Sequence, residues 1–143
     1  MSRILVLSFM LSAVSLAVVW PLAGNSHPVQ RDDGNPHFKL IQVFLCEEVM
    51  EGAPYGQAVA FSVSRGTVCC YTLFDEIRED TFVYHRWLFR DTPTSKFKLS
   101  VKEPRWATFS SIQLRDDDKG PWRVEIRDAS GRLLRTLRFS VVD

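Results

Sequence analysis

The sequence predicts an all-β protein: an immunoglobulin-like β-sandwich of seven to nine antiparallel strands, preceded by an N-terminal signal or anchor helix. Three observations lead there. After residue 37 apolar residues recur with a period of two, in short runs cut by Gly, Pro, Asp and Asn, and no stretch carries the 3.6-residue period of an amphipathic helix. The chain closes on two long alternating runs joined by Asp128-Ala129-Ser130-Gly131, with Asp first and Gly fourth as a type I turn prefers. The length left after the leader, about 105 to 120 residues, suits one domain, and 45% hydrophobic with 24% charged residues is a globular composition.

Residues 1–24 read as a signal peptide or membrane anchor. Arg3 precedes the apolar run Ile4 to Val19, broken only by Ser8, Ser12 and Ser15, and Pro21, Ala23, Gly24 and Ser26 follow; charged start, apolar middle and small-residue end are the parts of a secretory signal. The run through Ala23 also reaches about the 20 residues that span a bilayer, so retention as an anchor is the alternative. Residues 25–37, with two prolines and no apolar periodicity, form a flexible linker, and residues 38–143 are the β-domain.

Phe38 to Cys46 is the first strand, apolar on both faces and therefore expected to be central. Glu47 to Gln57, with Gly52, Pro54 and Gly56, reads as a loop. Val59, Phe61 and Val63 alternate in a second strand that ends at Arg65-Gly66; Thr67 to Phe74 is a third, rich in β-branched and aromatic residues. The fourth, Thr81 to Phe89, sets Val83, His85, Trp87 and Phe89 on one face and Phe82, Tyr84, Arg86 and Leu88 on the other, and is also expected to be central. Arg90 to Thr94 is a turn, Phe97, Leu99 and Val101 mark a fifth strand, and a sixth runs from Arg105 to about Leu114. In the closing hairpin Trp122, Val124 and Ile126 face inward, as do Leu133, Leu137, Phe139 and Val141, with Arg135 out of place.

Three cysteines, Cys46, Cys69 and Cys70, in a chain bound for an oxidising compartment suggest one bridge and one free thiol, Cys46 pairing with Cys69 or Cys70. Cys69 and Cys70 point to opposite faces of a strand and do not bridge each other without strain. Zinc-type spacing is missing, and Asp116-Asp117-Asp118 runs consecutively where a Ca²⁺ loop alternates its ligands, so no metal and no cofactor is expected. Without residues 1–24, Lys+Arg fall to 17 against 17 Asp+Glu. A neutral chain has no global field drawing it to nucleic acid or anionic lipid, although Lys119, Arg123, Arg127, Arg132 and Arg138 make the outer side of the hairpin locally basic around Glu125.

Several motifs in order carry a resemblance: His85-Arg86-Trp87, Arg105-Trp106 followed by Ser110-Ser111, Gly120-Pro121-Trp122-Arg123-Val124, the Asp128 to Gly131 turn, and Phe139-Ser140-Val141. Over Phe38 to Val142 the chain resembles a family of small exported bacterial domains of unknown function, whose pattern is H-x-W, R-W-x-x-x-S, G-x-W-x-V, D-x-x-G and F-x-V. Cys46-Glu47-Glu48-Val49 matches a further element, whereas Ala107 and Ile112 stand where the family often has a basic residue, in R-W-R-T and soon after the serines. The resemblance implies an envelope β-sandwich with no assigned activity.

The motif side chains His85, Trp87, Arg105, Trp106 and Ser110 are the candidate binding residues, and no catalytic residue is assigned. Trp87, Trp106 and Trp122 read as core, with a sugar-stacking platform as the alternative. His85, between Val83 and Trp87, reads as buried and hydrogen-bonded. Ser110 and Ser111 lack the G-x-S-x-G setting of a nucleophile and are expected to face solvent or bond locally. The expected function is a non-enzymatic interaction domain of the bacterial cell envelope, accessory to a larger assembly. Its partner would be an envelope protein or a glycan, not nucleic acid; it would be periplasmic or secreted, and membrane-attached only through residues 4–23 if these are retained. The alternatives are a carbohydrate-binding module using tryptophans and an envelope hydrolase in which His85 meets Ser110 or Cys70 near 3 Å.

Overall fold

The computed structural model describes residues 37–143. The signal or anchor helix and nearly all of the linker lie outside the described residues. Ten strands follow in order: β1 (Lys39–Cys46), β2 (Glu48–Met50), β3 (Ala53–Tyr55), β4 (Ala60–Ser62), β5 (Thr67–Asp75), β6 (Thr81–Phe89), β7 (Thr92–Val101), β8 (Trp106–Gln113), β9 (Gly120–Arg127) and β10 (Leu133–Val142). They build a three-stranded sheet, β1-β5-β8, a five-stranded sheet, β4-β10-β9-β6-β7, and a ribbon, β2-β3. Within the described residues helix is limited to two 3₁₀ turns, Val63–Arg65 and Asp116–Asp118.

The alternation read from sequence becomes the core. Val68, Cys70 and Phe74 of β5 face Val83 and Trp87 of β6, Trp122, Val124 and Ile126 of β9, and Phe139 and Val141 of β10, all buried in one cluster. Each such side chain contributes about 1.5 to 3 kcal/mol by leaving water. Phe139 is the hub: its ring lies edge-on to Trp87 at 5.9 Å and to Phe61 at 5.8 Å, and stacks on Trp122 at 6.0 Å. The closing hairpin pairs Trp122 with Phe139 and Val124 with Leu137. Its turn forms as expected, with Gly131 N donating to Asp128 O at 3.0 Å and Gly131 at φ +89°, a conformation costly for a side chain.

Several expectations are corrected. β1 is an edge strand, not a central one; it is apolar on both faces because Phe44 and Cys46 join Cys69, Tyr71, Leu73 and Val49 of β2 in a second cluster outside the three-stranded sheet. Residues 47–57 are not only loop: β2 and β3 pair Met50 with Ala53 across Glu51-Gly52, both at positive φ, the geometry of a type I′ turn. The fifth strand starts earlier than expected, because the turn shrinks to Arg90 and Asp91, again both at positive φ, and Phe89 pairs with Thr92. β4 keeps three residues of the expected second strand and runs parallel to β10, pairing Ala60 with Ser140, so the pairing is not wholly antiparallel. Before β4 the chain passes between sheet edges: Ala58 N donates to Leu45 O at 3.3 Å and Ser140 N to Val59 O at 3.0 Å.

The expected disulfide is absent: Cys46, Cys69 and Cys70 are free and buried. Cys70 faces the main core and so points away from Cys46. Cys46 and Cys69 are cross-strand partners, but the Cys46 thiol donates to the Cys69 carbonyl at 3.8 Å and the Cys69 thiol to the Glu47 carbonyl at 3.7 Å. Contact with Cys69 and burial push the Cys46 thiol up, and burial does the same to Cys70.

Candidate functional site

The five candidate residues do not form one site. Three meet between the sheets. His85 and Trp87 project inward from β6 toward Ser110 on β8 and Thr72 on β5, and all four are buried. His85 Nδ1 lies 2.9 Å from Ser110 Oγ, Trp87 Nε1 donates to the same oxygen at 3.0 Å, His85 Nε2 is 3.3 Å from Thr72 Oγ1, and Thr72 Oγ1 donates to Thr108 O at 3.1 Å. The donors fix the direction of the chain. Thr72 spends its proton on a carbonyl, so it accepts from His85 Nε2–H. His85 Nδ1 is then an acceptor, and Ser110 donates to it while accepting from Trp87.

Every polar atom in this network has a partner, and among the described residues no buried side-chain nitrogen or oxygen lacks one. Burial drives the His85 pKa down to about 3, because desolvation penalises the imidazolium. The imidazole is therefore neutral at physiological pH. The Ser110–His85 distance meets the reach of a nucleophile and its base, but Ser110 is 4% exposed and His85 fully buried.

Sequence reasoning placed His85 correctly and Ser110 wrongly. Ser110 is inward because β8 alternates Ser110 and Ile112 inside against Phe109 and Ser111 outside. Thr72 was missed altogether; its parity with Val68, Cys70 and Phe74 on β5 was the available signal. Arg105 and Trp106 are elsewhere. Arg105 pairs with Asp75 at 2.9 Å near the surface. Trp106 is 37% exposed with Lys102 Nζ 5.6 Å from its ring centre, so the core expectation fails for this tryptophan while holding for Trp87 and Trp122.

The outer face of the five-stranded sheet carries rows of charged residues. Across β9, β6 and β7, Glu125, Arg86 and Lys96 stand in one row and Arg127, Tyr84 and Lys98 in the next; Arg138 and Arg123 pair across β10 and β9. Glu125, 8% exposed, is held by Arg127 at 2.8 Å, Arg123 at 3.4 Å and Arg86 at 3.7 Å. Burial pushes its carboxyl upward, but the Arg127 hydrogen bonds and the charges of Arg127, Arg123 and Arg86 outweigh it and hold the pKa below the usual value. Lys96 Nζ lies 3.9 Å over the Tyr84 ring and Lys98 Nζ 3.9 Å over Phe82, within cation–π range.

Two clefts open beside the sheets. One of about 520 Å³ runs between β1 and β10 past Val43, Leu45, Val59, Leu137 and Arg138. The other, about 350 Å³, lies between β7 and β8 beside Ser95, Phe97, Gln113, Arg115 and Trp122. Neither is lined by His85 or Ser110. Among the described residues no cluster of three or more His, Cys, Asp or Glu is placed to hold a metal; Asp118 instead accepts from Arg115 N at 2.7 Å.

Residues 80–141, from the start of β6 to the end of β10, match the family model described as Protein of unknown function (DUF2914). The likeness to a family of unknown function is thus shown over the five strands that carry His85, Trp87, Ser110 and the Glu125 cluster. No curated protein matches the chain.

Proposed function

We propose that this is a non-enzymatic binding domain of the cell envelope, an accessory part of a larger assembly built on an immunoglobulin-like sandwich. The strand partition supports the fold: leaving aside β2 to β4, the first, second and fifth long strands form one sheet and the others the second, as strands A, B and E are divided from C, C′, F and G. Trp87 then stands on the strand equivalent to C, where such domains keep a buried tryptophan. Export rests on Arg3 and the apolar run Ile4 to Val19.

The observation that carries the binding reading is the contrast between inside and outside. The Ser110–His85 contact has its protons committed between the sheets, whereas the outer face of the five-stranded sheet displays cations in number. The hydrolase reading retains the 2.9 Å His85–Ser110 contact in its favour. The glycan reading rests on Trp106, since Trp87 and Trp122 are buried. A tagged full chain used as bait on its own envelope fraction, wild type beside Ser110→Ala, separates the first two. Equal capture of a partner by both, with no turnover of ester or glycoside substrates by either, is expected; turnover by wild type that Ser110→Ala abolishes would make the protein an enzyme.

A further inference from the structure

The fold extends the basic side of the closing hairpin across β6 and β7 into a charge separation within a near-neutral chain. The outer face of β10-β9-β6-β7 carries Arg86, Lys96, Lys98, Arg123, Arg127 and Arg138 against two carboxylates, Glu125 and, at the β6-β7 turn, Asp91, which pairs with Arg123. The remaining described residues hold ten Lys+Arg and thirteen Asp+Glu, with Glu47, Glu48 and Glu51 on the ribbon side and Asp75, Glu76, Glu79, Asp80 and Glu103 around the ends of β5, β6 and β7. One sheet face is thus strongly positive and the rest of the domain negative.

The cations are also arranged. Glu125 gathers three guanidinium groups, of which Arg123 also pairs with Asp91, so that three cations face two carboxylates, and Tyr84 and Phe82 seat two ammonium groups whose residues stay exposed. Neighbouring strands set these charges about 5 Å apart across the sheet and about 7 Å apart along it, a flat two-dimensional array and not a groove.

We propose that this face docks on the surface of an anionic lipid bilayer, which deepens, and rests on, the binding-domain reading. What the face lacks selects the partner. A protein interface draws its affinity from apolar or aromatic anchors desolvated at its centre, but Leu88 is 2% exposed and the rings of Tyr84 and Phe82 are roofed by lysines. A single-stranded nucleic-acid site needs open rings for bases to stack on, and the same roofing removes them. A headgroup lattice needs only cations spread over a plane, each near-surface Lys or Arg raising affinity about fivefold.

The test sediments the full chain with phosphatidylglycerol vesicles and with phosphatidylcholine vesicles at low salt and takes the ratio of the two affinities, so that any insertion of the apolar leader cancels. Three proteins are compared: wild type, Lys96→Glu/Lys98→Glu/Arg138→Glu, and Lys39→Glu/Lys102→Glu/Arg105→Glu, which makes the same change in net charge off the face. Wild type should prefer the anionic vesicles, the face variant should lose at least about 50-fold of that preference, the off-face variant should keep most of it, and 0.5 M salt should abolish it. Thermal unfolding of each variant excludes misfolding. No anionic preference in wild type, or an equal loss in both variants, overturns the proposal. If wild type ignores vesicles yet captures a protein partner from the envelope fraction, the binding-domain reading stands and the lipid proposal alone falls.

Discussion

The hydroxyl of Ser110 on β8 lies 2.9 Å from the Nδ1 of His85 on β6, and it is the only link in that chain of hydrogen bonds that serves two side chains of the facing sheet. Its removal orphans His85 and Trp87 together, in an interior where an unsatisfied donor or acceptor costs more than a made bond returns.

We predict that Ser110→Ala destabilises the domain by about 2 to 4 kcal/mol, while the exposed neighbour Ser111→Ala stays within about 0.5 kcal/mol. Urea midpoints at fixed slope measure both. Equal small shifts would mean that the network does not support the fold.

The depressed pKa of His85 makes stability depend on pH. The folded value is about 3 and the unfolded value about 6.5, so the unfolded chain takes up a proton first as pH falls. Stability is therefore fully present above pH 6.5 and drains away between about 6.5 and 3, with about 2 kcal/mol lost from pH 7 to pH 5. His85→Phe should flatten that slope, whatever it does to stability at pH 7. A slope unchanged in His85→Phe would assign the effect to another group.

Glu125→Gln removes the counter-charge from Arg86, Arg123 and Arg127. It is expected to cost about 1 to 3 kcal/mol at pH 7. Because the folded carboxyl is held below its ordinary value, its contribution is present above the unfolded pKa and is lost as pH falls through the folded one. The difference between wild type and Glu125→Gln should accordingly shrink below about pH 4.5, and a difference independent of pH down to 2 would refute the ion-cluster account.

The free, buried thiols predict slow alkylation in the native protein and three equivalents after unfolding. Cys69 should react first: its contact with Cys46 lowers its pKa, while Cys46 and Cys70 are pushed the other way, and the thiolate is the nucleophile. Mapped peptides that show Cys70 labelled before Cys69 would contradict the burial order.

Much of this fold was legible because a strand between two sheets writes its geometry as alternation. β5, β6, β9 and β10 fall within a residue or two of their expected bounds, and Trp87, Trp122 and His85 are inside as their parity demands. What alternation cannot encode was lost. The β2-β3 ribbon has strands of three residues, too short for a period, and β4 finds its partner some eighty residues away on β10. The apolar outer face of β1 read as centrality when it marked a second cluster. At the site, the burial of His85 was readable from Val83 and Trp87, but its partners Thr72 and Ser110 are small residues whose role depends on which strands face each other, and parity alone does not say that.

The crossing from β1 to β10 also sets a clock. Ala58 is fastened to Leu45 early in the chain, but Ala60 must wait for Ser140, and the aromatic hub Phe139 sits on the same late strand. Such long-range pairing bears its loop-closure entropy before it gains contacts, which slows folding. A nascent chain emerging in order would hold β1, β5, β6 and β8 with their aromatic residues uncovered until β10 arrived, and in that interval it would be exposed to aggregation or to whatever holds unfolded chains in the cell.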